Sequence, residues 1–197
     1  IKGITSITIP TQLKSLGNQA FPECTNLDTL VWNAIRLTNE SNLGYLNVGY
    51  ILHVEFGSQV EKIPAALCQS NNNLTKVIIP ENVKIIGANA FRECNAMQTI
   101  DIPSSVDSID SGAFYGCQGL IQLTLNEGLI SIGADAFRGC QALVTVTLPN
   151  SLLNIGDRAF YECKSMTMAK FGTGLESLGT YAFRSCSALN VDITLPE

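Results

Sequence analysis

The chain alternates hydrophobic and polar residues in short stretches that return at a fixed interval. The dipeptide Ala-Phe occurs six times, and a Cys follows each Phe three positions later. The last five dipeptides are 23 residues apart, and they begin at Ala90, Ala113, Ala136, Ala159 and Ala182. Such a period indicates a repeat architecture, in which each unit buries its apolar side against its neighbours.

Each unit begins with an alternating stretch that predicts a β-strand. Val146-Thr147-Leu148-Pro149 is one example, and Val, Ile and Thr are frequent in the others. Period-two alternation of these residues is typical of strands, and Pro ends a strand where no further backbone donor is needed. The second half of the unit, I-G-x-x-A-F-x-x-C, predicts a turn and a short helical or 3₁₀ segment. Stacked units therefore predict a solenoid with a parallel sheet on one face.

The predicted domain organisation is a single solenoid over residues 1–197. Its coils start near residues 4, 27, 51, 74, 97, 120, 143 and 166, and a partial coil starts at 189. The coil at 27 is divergent and one residue longer than the others. The coil at 51 is a variant with Leu67-Cys68 in place of Ala-Phe and Asn71 in place of Cys. Both termini fall inside a unit, so we expect a fragment of a longer protein whose open solenoid ends can self-associate.

The complete unit, L-x-x-[VI]-x-[IL]-P-x-x-[VL]-x-x-[IL]-G-x-x-A-F-x-x-C, resembles the BspA-like leucine-rich repeats. The segment Val31-Trp32-Asn33-Ala34, followed by Phe56-Gly57 and Leu67-Cys68, is similar to a variant module of that family. The resemblance implies a leucine-rich repeat solenoid, an α/β-type right-handed superhelix. In this fold a parallel β-sheet forms one face, and turns with short helical or 3₁₀ segments form the other.

The same resemblance implies a function without catalysis. Proteins of this family are typically secreted or attached to the cell surface, and they are associated with adhesion. The expected partner is a host matrix protein, a cell-surface protein or a glycan. The alternative is a structural spacer that presents other domains of a longer surface protein and has no ligand of its own. Since a fold does not fix a function, the choice between the two rests on the family.

Composition narrows the classes of function. The chain has 12 Lys and Arg against 17 Asp and Glu, a net charge of −5, which argues against nucleic acid as a partner. No apolar run approaches the ~18 residues that span a bilayer, so no transmembrane segment is expected. The chain has one histidine and no nucleotide-binding or hydrolase motif. We therefore expect no enzyme, no cofactor and no bound metal.

The cysteines are predicted to be buried free thiols. Five of the seven occupy the same slot of successive units: Cys94, Cys117, Cys140, Cys163 and Cys186. Side chains that point the same way, one strand spacing apart, are poorly placed for a disulfide. A small, weakly polar thiol suits the interior of a solenoid. The single histidine falls on a strand away from this slot, so no activated thiolate is predicted.

One candidate binding surface is the outer side of the sheet. The third and fifth residues of each strand segment are predicted to face outward, from Ser6 and Thr8 to Asp192 and Thr194. Many are Thr, which favours a generic sheet surface. The least generic segment combines charges, an aromatic ring and an apolar side chain beside the divergent coil. Its candidate partner-binding residues are His53, Glu55, Lys76, Ile78 and Asp101.

A second candidate surface is the outer column formed by the residue after each Phe. Arg and Tyr alternate along it: Arg92, Tyr115, Arg138, Tyr161 and Arg184. Neighbouring Arg and Tyr predict cation–π contacts of about 0.5–1 kcal/mol each at an exposed site. The column is either a stabilising surface ladder or a binding ridge, because Arg and Tyr are also enriched at protein interfaces.

Overall fold

The computed structural model describes residues 3–16, 20–21, 24–37 and 50–190, which form a parallel β-solenoid. Its fourteen strands, in chain order, are β1 (Ser6–Ile9), β2 (Thr29–Trp32), β3 (His53–Phe56), β4 (Lys62–Ile63), β5 (Lys76–Ile78), β6 (Ile85–Ile86), β7 (Thr99–Ile102), β8 (Ser108–Ile109), β9 (Gln122–Leu125), β10 (Ser131–Ile132), β11 (Thr145–Thr147), β12 (Asn154–Ile155), β13 (Met168–Lys170) and β14 (Ser177–Leu178). The main sheet face consists of β1, β2, β3, β5, β7, β9, β11 and β13. The shorter strands form a second face.

Strand pairing follows the sequence repeat. Ser6 pairs with Thr29, and Thr99 pairs with Gln122. In both pairs the second residue lies 23 positions after the first. Across the divergent coil the offset is 24, because Thr29 pairs with His53. The second face is one ladder of six strands. The main sheet face comprises two ladders of four, β1-β2-β3-β5 and β7-β9-β11-β13, and within residues 50–190 no pairing joins β5 to β7.

A column of phenylalanine rings fills the interior behind the sheet. Phe91, Phe114, Phe137 and Phe160 are fully buried, and Phe183 is half-buried at the end of the column. Successive ring centroids are 5.3, 5.2, 5.2 and 5.0 Å apart, with ring planes within 18° of parallel. This spacing is close to the roughly 4.8 Å between hydrogen-bonded strands. The rings therefore stack at the rise that the sheet requires, in the offset-stacked geometry that aromatic pairs favour.

The predicted α/β class, with a helical or 3₁₀ segment in each coil, is wrong for the described part of the chain. From residue 51 on, the second half of each coil is a two-residue strand followed by consecutive turns. The reason is a positive φ that recurs in these coils and interrupts any right-handed helix. In the slot before Ala-Phe, φ is 56° at Asn89, 65° at Gly112 and 56° at Asp135. Gly, Asn and Asp tolerate this left-handed conformation better than other residues.

The backbone hydrogen bonds of these turns run between coils rather than along a helix. The Phe91 amide donates to the carbonyl of Ala113 in the next coil, at 2.8 Å, and the Phe137 amide donates to Ala159 at 2.7 Å. A helical amide would instead donate to the carbonyl four residues before it. The Ala-Phe dipeptide thus belongs to a further hydrogen-bond ladder, in addition to those of the main sheet face and the second face. The turns, like the strands, are bonded from coil to coil.

The ring column predicts a position-dependent cost for removing one ring. Phe137→Ala is expected to lower the free energy of unfolding by about 3–5 kcal/mol, because it opens a cavity between two stacked rings. Phe183→Ala, at the half-buried end of the column, is expected to cost less. Urea denaturation followed by circular dichroism measures both. Equal losses for the two variants would contradict the role assigned to the column.

Candidate interaction surfaces

The third and fifth residues of the main-face strands lie on the outside of the solenoid. All of those from β1 to β13 are exposed or half-buried. The residue between them is buried in six of these strands, among them Leu30, Val54 and Val146. The predicted outward pair in the last partial coil, Asp192 and Thr194, lies outside the described residues. The outer face is therefore built by strict alternation along each strand.

Four of the five candidate sheet residues lie together on one ladder. Strand pairing places His53 opposite Lys76 and Glu55 opposite Ile78. Glu55 and Lys76 are exposed, and the Ile78 side chain is 47% exposed. His53 is half-buried, and its Nδ1 is enclosed without a hydrogen-bond partner among the described residues. We call these four residues the sheet patch.

The fifth candidate residue stands across a break in the sheet. Asp101 lies on β7, which pairs with β9 and not with β5. Its carboxylate accepts a hydrogen bond from the Asn126 side chain, at 3.1 Å between Oδ1 and Nδ2. Asp101 is thus tied to the following coil, while Ile78 belongs to the preceding ladder. The structure places this residue at the border of the sheet patch rather than within it.

Sequence reasoning missed a further outward column, the residue that precedes each main-face strand. It carries exposed apolar side chains at Leu52, Ile121 and Val144, which are 38%, 49% and 40% exposed. On the next coil the same slot holds the polar Thr167, and Met168, 50% exposed, is the neighbouring outward residue of β13. The sequence contains a signal for this column: the slot of Ile121 and Val144 holds the polar residues Thr75 and Gln98 in other coils. A slot that accepts both polar and apolar residues is expected to face outward.

The Arg-Tyr column forms most of the predicted cation–π contacts. The Tyr115 ring lies between two guanidinium groups, with centroid distances of 4.2 Å to Arg92 and 5.4 Å to Arg138. Arg138 also lies 5.0 Å from the Tyr161 ring. The predicted contact between Tyr161 and Arg184 is wrong, because the Arg184 guanidinium lies over the Tyr181 ring of its own coil, 4.6 Å from its centroid. Tyr181 occupies the positive-φ slot three residues before Arg184, which brings the two side chains together.

The five thiols from Cys94 to Cys186 are buried, as predicted, whereas Cys24 in the same slot is half-buried, and all seven cysteines are free. Each of the five buried thiols donates to the carbonyl in the Phe slot of the preceding coil. The Sγ-to-oxygen distance is 3.0 Å from Cys117 to Phe91 and 3.3 Å from Cys140 to Phe114. In the variant coil Asn71 occupies the Cys slot, and its Nδ2 donates instead to the Ile51 carbonyl at the start of the same coil, at 2.9 Å. A thiol is a weak donor on a small apolar side chain, so it can hydrogen-bond a buried carbonyl without burying a strongly polar group.

Burial makes these thiols poor nucleophiles. It raises the pKa of Cys68 and of Cys117 to about 12. It also raises the pKa of Cys94 and Cys140 well above the usual range of a thiol. Since the thiolate is the reactive form, burial keeps the part of this column from Cys94 to Cys140 in the unreactive, protonated form. Its role is to pack and to hydrogen-bond.

Neither a metal centre nor a membrane helix stands out in the part of the chain that the structure describes. No three or more His, Cys, Asp or Glu side chains converge there in a way that could hold a metal ion. No helix among these residues is long and apolar enough to cross a bilayer.

Known proteins share both the repeat and the backbone. A family model described as BspA type leucine rich repeat region matches the chain in six copies, over residues 2–121 and 108–197. No curated protein matches it. A T. pallidum leucine rich repeat protein superposes with a TM-score of 0.63 at 21% identity, over 94% of this chain and 78% of that one.

A second solved structure is a leucine rich cell surface protein from Faecalibacterium prausnitzii A2-165. It has a TM-score of 0.60 and 27% identity, over 95% of this chain and 46% of that one. The chain therefore spans less than half the length of that protein. Together with the repeat match, these likenesses establish a leucine-rich repeat fold.

The buried thiols predict a loss of stability at high pH. A thiol that keeps its proton up to about pH 12 when folded loses it above about pH 9 when unfolded. The free energy of unfolding therefore has its full value below pH 9. It falls as the pH rises toward 12, by about 1.4 kcal/mol per pH unit for each such thiol. Denaturant titrations at pH 7 to 11 measure this slope. Cys117→Ala should give a shallower slope, and an unchanged slope would contradict the assignment.

Proposed function

Because the chain belongs to the BspA-type leucine-rich repeat family, we propose that it is a non-catalytic interaction or adhesion module of the cell surface or the extracellular space. Its partner is a host matrix protein, a cell-surface protein or a glycan. The surface location is supported by the cell surface protein from Faecalibacterium prausnitzii that shares the fold. The absence of catalysis is supported by the protonated, buried thiols and by a solenoid interior that is filled by its own side chains.

The sheet patch is the observation that carries this proposal. An apolar side chain, Ile78, is 47% exposed and adjoins the exposed charges of Glu55 and Lys76. Apolar area inside a charged and polar rim is the usual anatomy of a protein interface. The patch therefore has a centre that gains free energy by desolvation and a rim that provides specificity.

The scaffold under the patch is well suited to recognition. The patch strands are held in register by the β3–β5 pairing, and Val54 beneath them is fully buried. The turns behind them are tied to the following coil, since the Cys68 amide donates to the Ala90 carbonyl at 2.8 Å. Side chains fixed on such a frame lose little conformational entropy on binding.

The alternative function, a spacer without a ligand, is favoured by the rest of the main sheet face. Thr99, Thr145 and Thr147 occupy outward positions, and Thr is a strand former that needs no partner. On this alternative the module holds other domains away from a surface. A binding experiment on the sheet patch separates the two functions.

The adhesion function predicts binding that depends on the sheet patch. In biolayer interferometry against a panel of extracellular-matrix proteins and host glycans, the chain is expected to give saturable binding. Lys76→Glu/Ile78→Asp should weaken this binding about tenfold or more, because it reverses one charge and places another in the apolar centre. Thr145→Glu/Thr147→Asp is the matched control, because it adds two carboxylates at the same strand positions on β11, and it should bind like the unaltered chain.

Three other outcomes would redirect the assignment. Equal losses in both double variants would show a general effect of negative charge on the sheet. Binding that survives Lys76→Glu/Ile78→Asp would place the site elsewhere, with the Arg-Tyr column as the next surface to alter. No binding across the panel would favour the spacer.

A further inference from the structure

A shallow groove runs beside the Arg-Tyr column, on the turns that carry the Ala-Phe dipeptides. Its volume is about 380 Å³, and small residues in three successive coils, Ala88, Ser111 and Ala134, form part of its lining. The next two coils hold larger residues in the same slot, Asp157 and Thr180. The groove is therefore a local feature, and its volume lies in the range of about 300–1,000 Å³ that small-ligand sites occupy. We call it the turn-side groove.

A glycine keeps the middle of the turn-side groove open. Gly112 has a φ of 65°, and a Cβ added there would lie 2.5 Å from the Asn89 Oδ1. The corresponding slot of the next coil holds Asp135, which also lines the groove, and those of the two coils after it hold the exposed Arg158 and Tyr181. Glycine at this position thus lets the Asn89 amide lie across the lining of the groove, where a larger side chain would displace it.

The charged side chains along the turn-side groove are fixed and neutralised. The Arg92 Nε donates to the Glu93 carboxylate at 3.3 Å, and the Arg138 Nη1 donates to the Asp135 carboxylate at 3.3 Å. The Tyr115 ring lies between the two guanidinium groups. Because each arginine has its own carboxylate, the groove carries no excess positive charge. Its polar atoms are held in place before any ligand arrives, which lowers the entropy cost of binding.

Hydrogen-bonding capacity is left over in the turn-side groove. Within the described part of the chain, the side chains of Asn89, Ser111 and Tyr115 make no hydrogen bond to the protein. An amide and two hydroxyls both donate and accept, and the remaining guanidinium N–H groups only donate. A ligand with many neutral groups, each able both to donate and to accept a hydrogen bond, would pair with these side chains.

We propose that the turn-side groove binds a neutral saccharide. Sugar hydroxyls match its mixed donors and acceptors, and its paired charges give no advantage to a polyanion. A protein partner would need an apolar centre. The large exposed apolar side chains among the described residues, such as Ile78, Ile121 and Met168, lie on other surfaces. This site is separate from the sheet patch and does not depend on its function.

The test is a saccharide titration with matched variants. Chitotriose, maltotriose, lactose and a heparin-derived hexasaccharide are titrated into the chain, with saturation-transfer NMR and calorimetry as readouts. At least one neutral saccharide is expected to bind saturably. Ser111→Trp fills the groove from an exposed position and should weaken this binding about tenfold or more. Thr180→Trp puts the same ring in the same slot outside the groove and should bind like the unaltered chain.

A further variant and the remaining outcomes decide the proposal. Arg138→Gln removes a guanidinium while it keeps a side chain of similar length, and it should also weaken binding if Ser111→Trp does not fold. Binding of the sulfated hexasaccharide alone would overturn the neutral ligand class. Saccharide binding that is equal in Ser111→Trp and the unaltered chain would overturn the site. No neutral saccharide binding at all would overturn the proposal, and it would leave matrix binding through the sheet patch untouched.

Discussion

The match between ring stacking and strand spacing is the constraint on which the structure depends. Phenylalanine rings stack 5.0–5.3 Å apart along the interior, and hydrogen-bonded strands lie about 4.8 Å apart. Both distances are met together in the five consecutive coils that hold Phe in this slot, from Phe91 to Phe183. These coils keep the 23-residue period, because one residue more or less would move a Phe out of the column. The divergent coil is one residue longer and the variant coil holds Cys68 in the slot, and neither has the Ala-Phe dipeptide.

Once the interior columns are fixed, the outer columns are free to differ. Thiols and aromatic rings repeat inside, whereas the outward slots hold Thr in some coils and Ile78, Lys76 or Met168 in others. We propose that recognition uses places where an outer column departs from its own average. The sheet patch and the turn-side groove are two such departures, and neither requires any change in the core.

The alignment of slots made the strands, the buried Cys column and the outward face predictable, because alternation fixes which way each side chain points. The turns were not predictable in the same way. Left-handed residues such as Asn89 and the bond from the Phe91 amide to the next coil depend on neighbours 22 residues away rather than on local propensity. The break between β5 and β7 and the groove beside Gly112 depend on packing between coils, which a slot-by-slot pattern does not contain.

The most direct test of this account is to give the sheet patch the outward residues of an ordinary coil. His53→Thr/Glu55→Thr/Lys76→Thr/Ile78→Thr copies the Thr residues that β11 carries at these positions. The account predicts an unfolding transition within about 1 kcal/mol of the unaltered chain, together with the loss of matrix binding. A variant that fails to fold would show that the patch belongs to the core. Full binding by a folded variant would show that the patch is not the site of recognition.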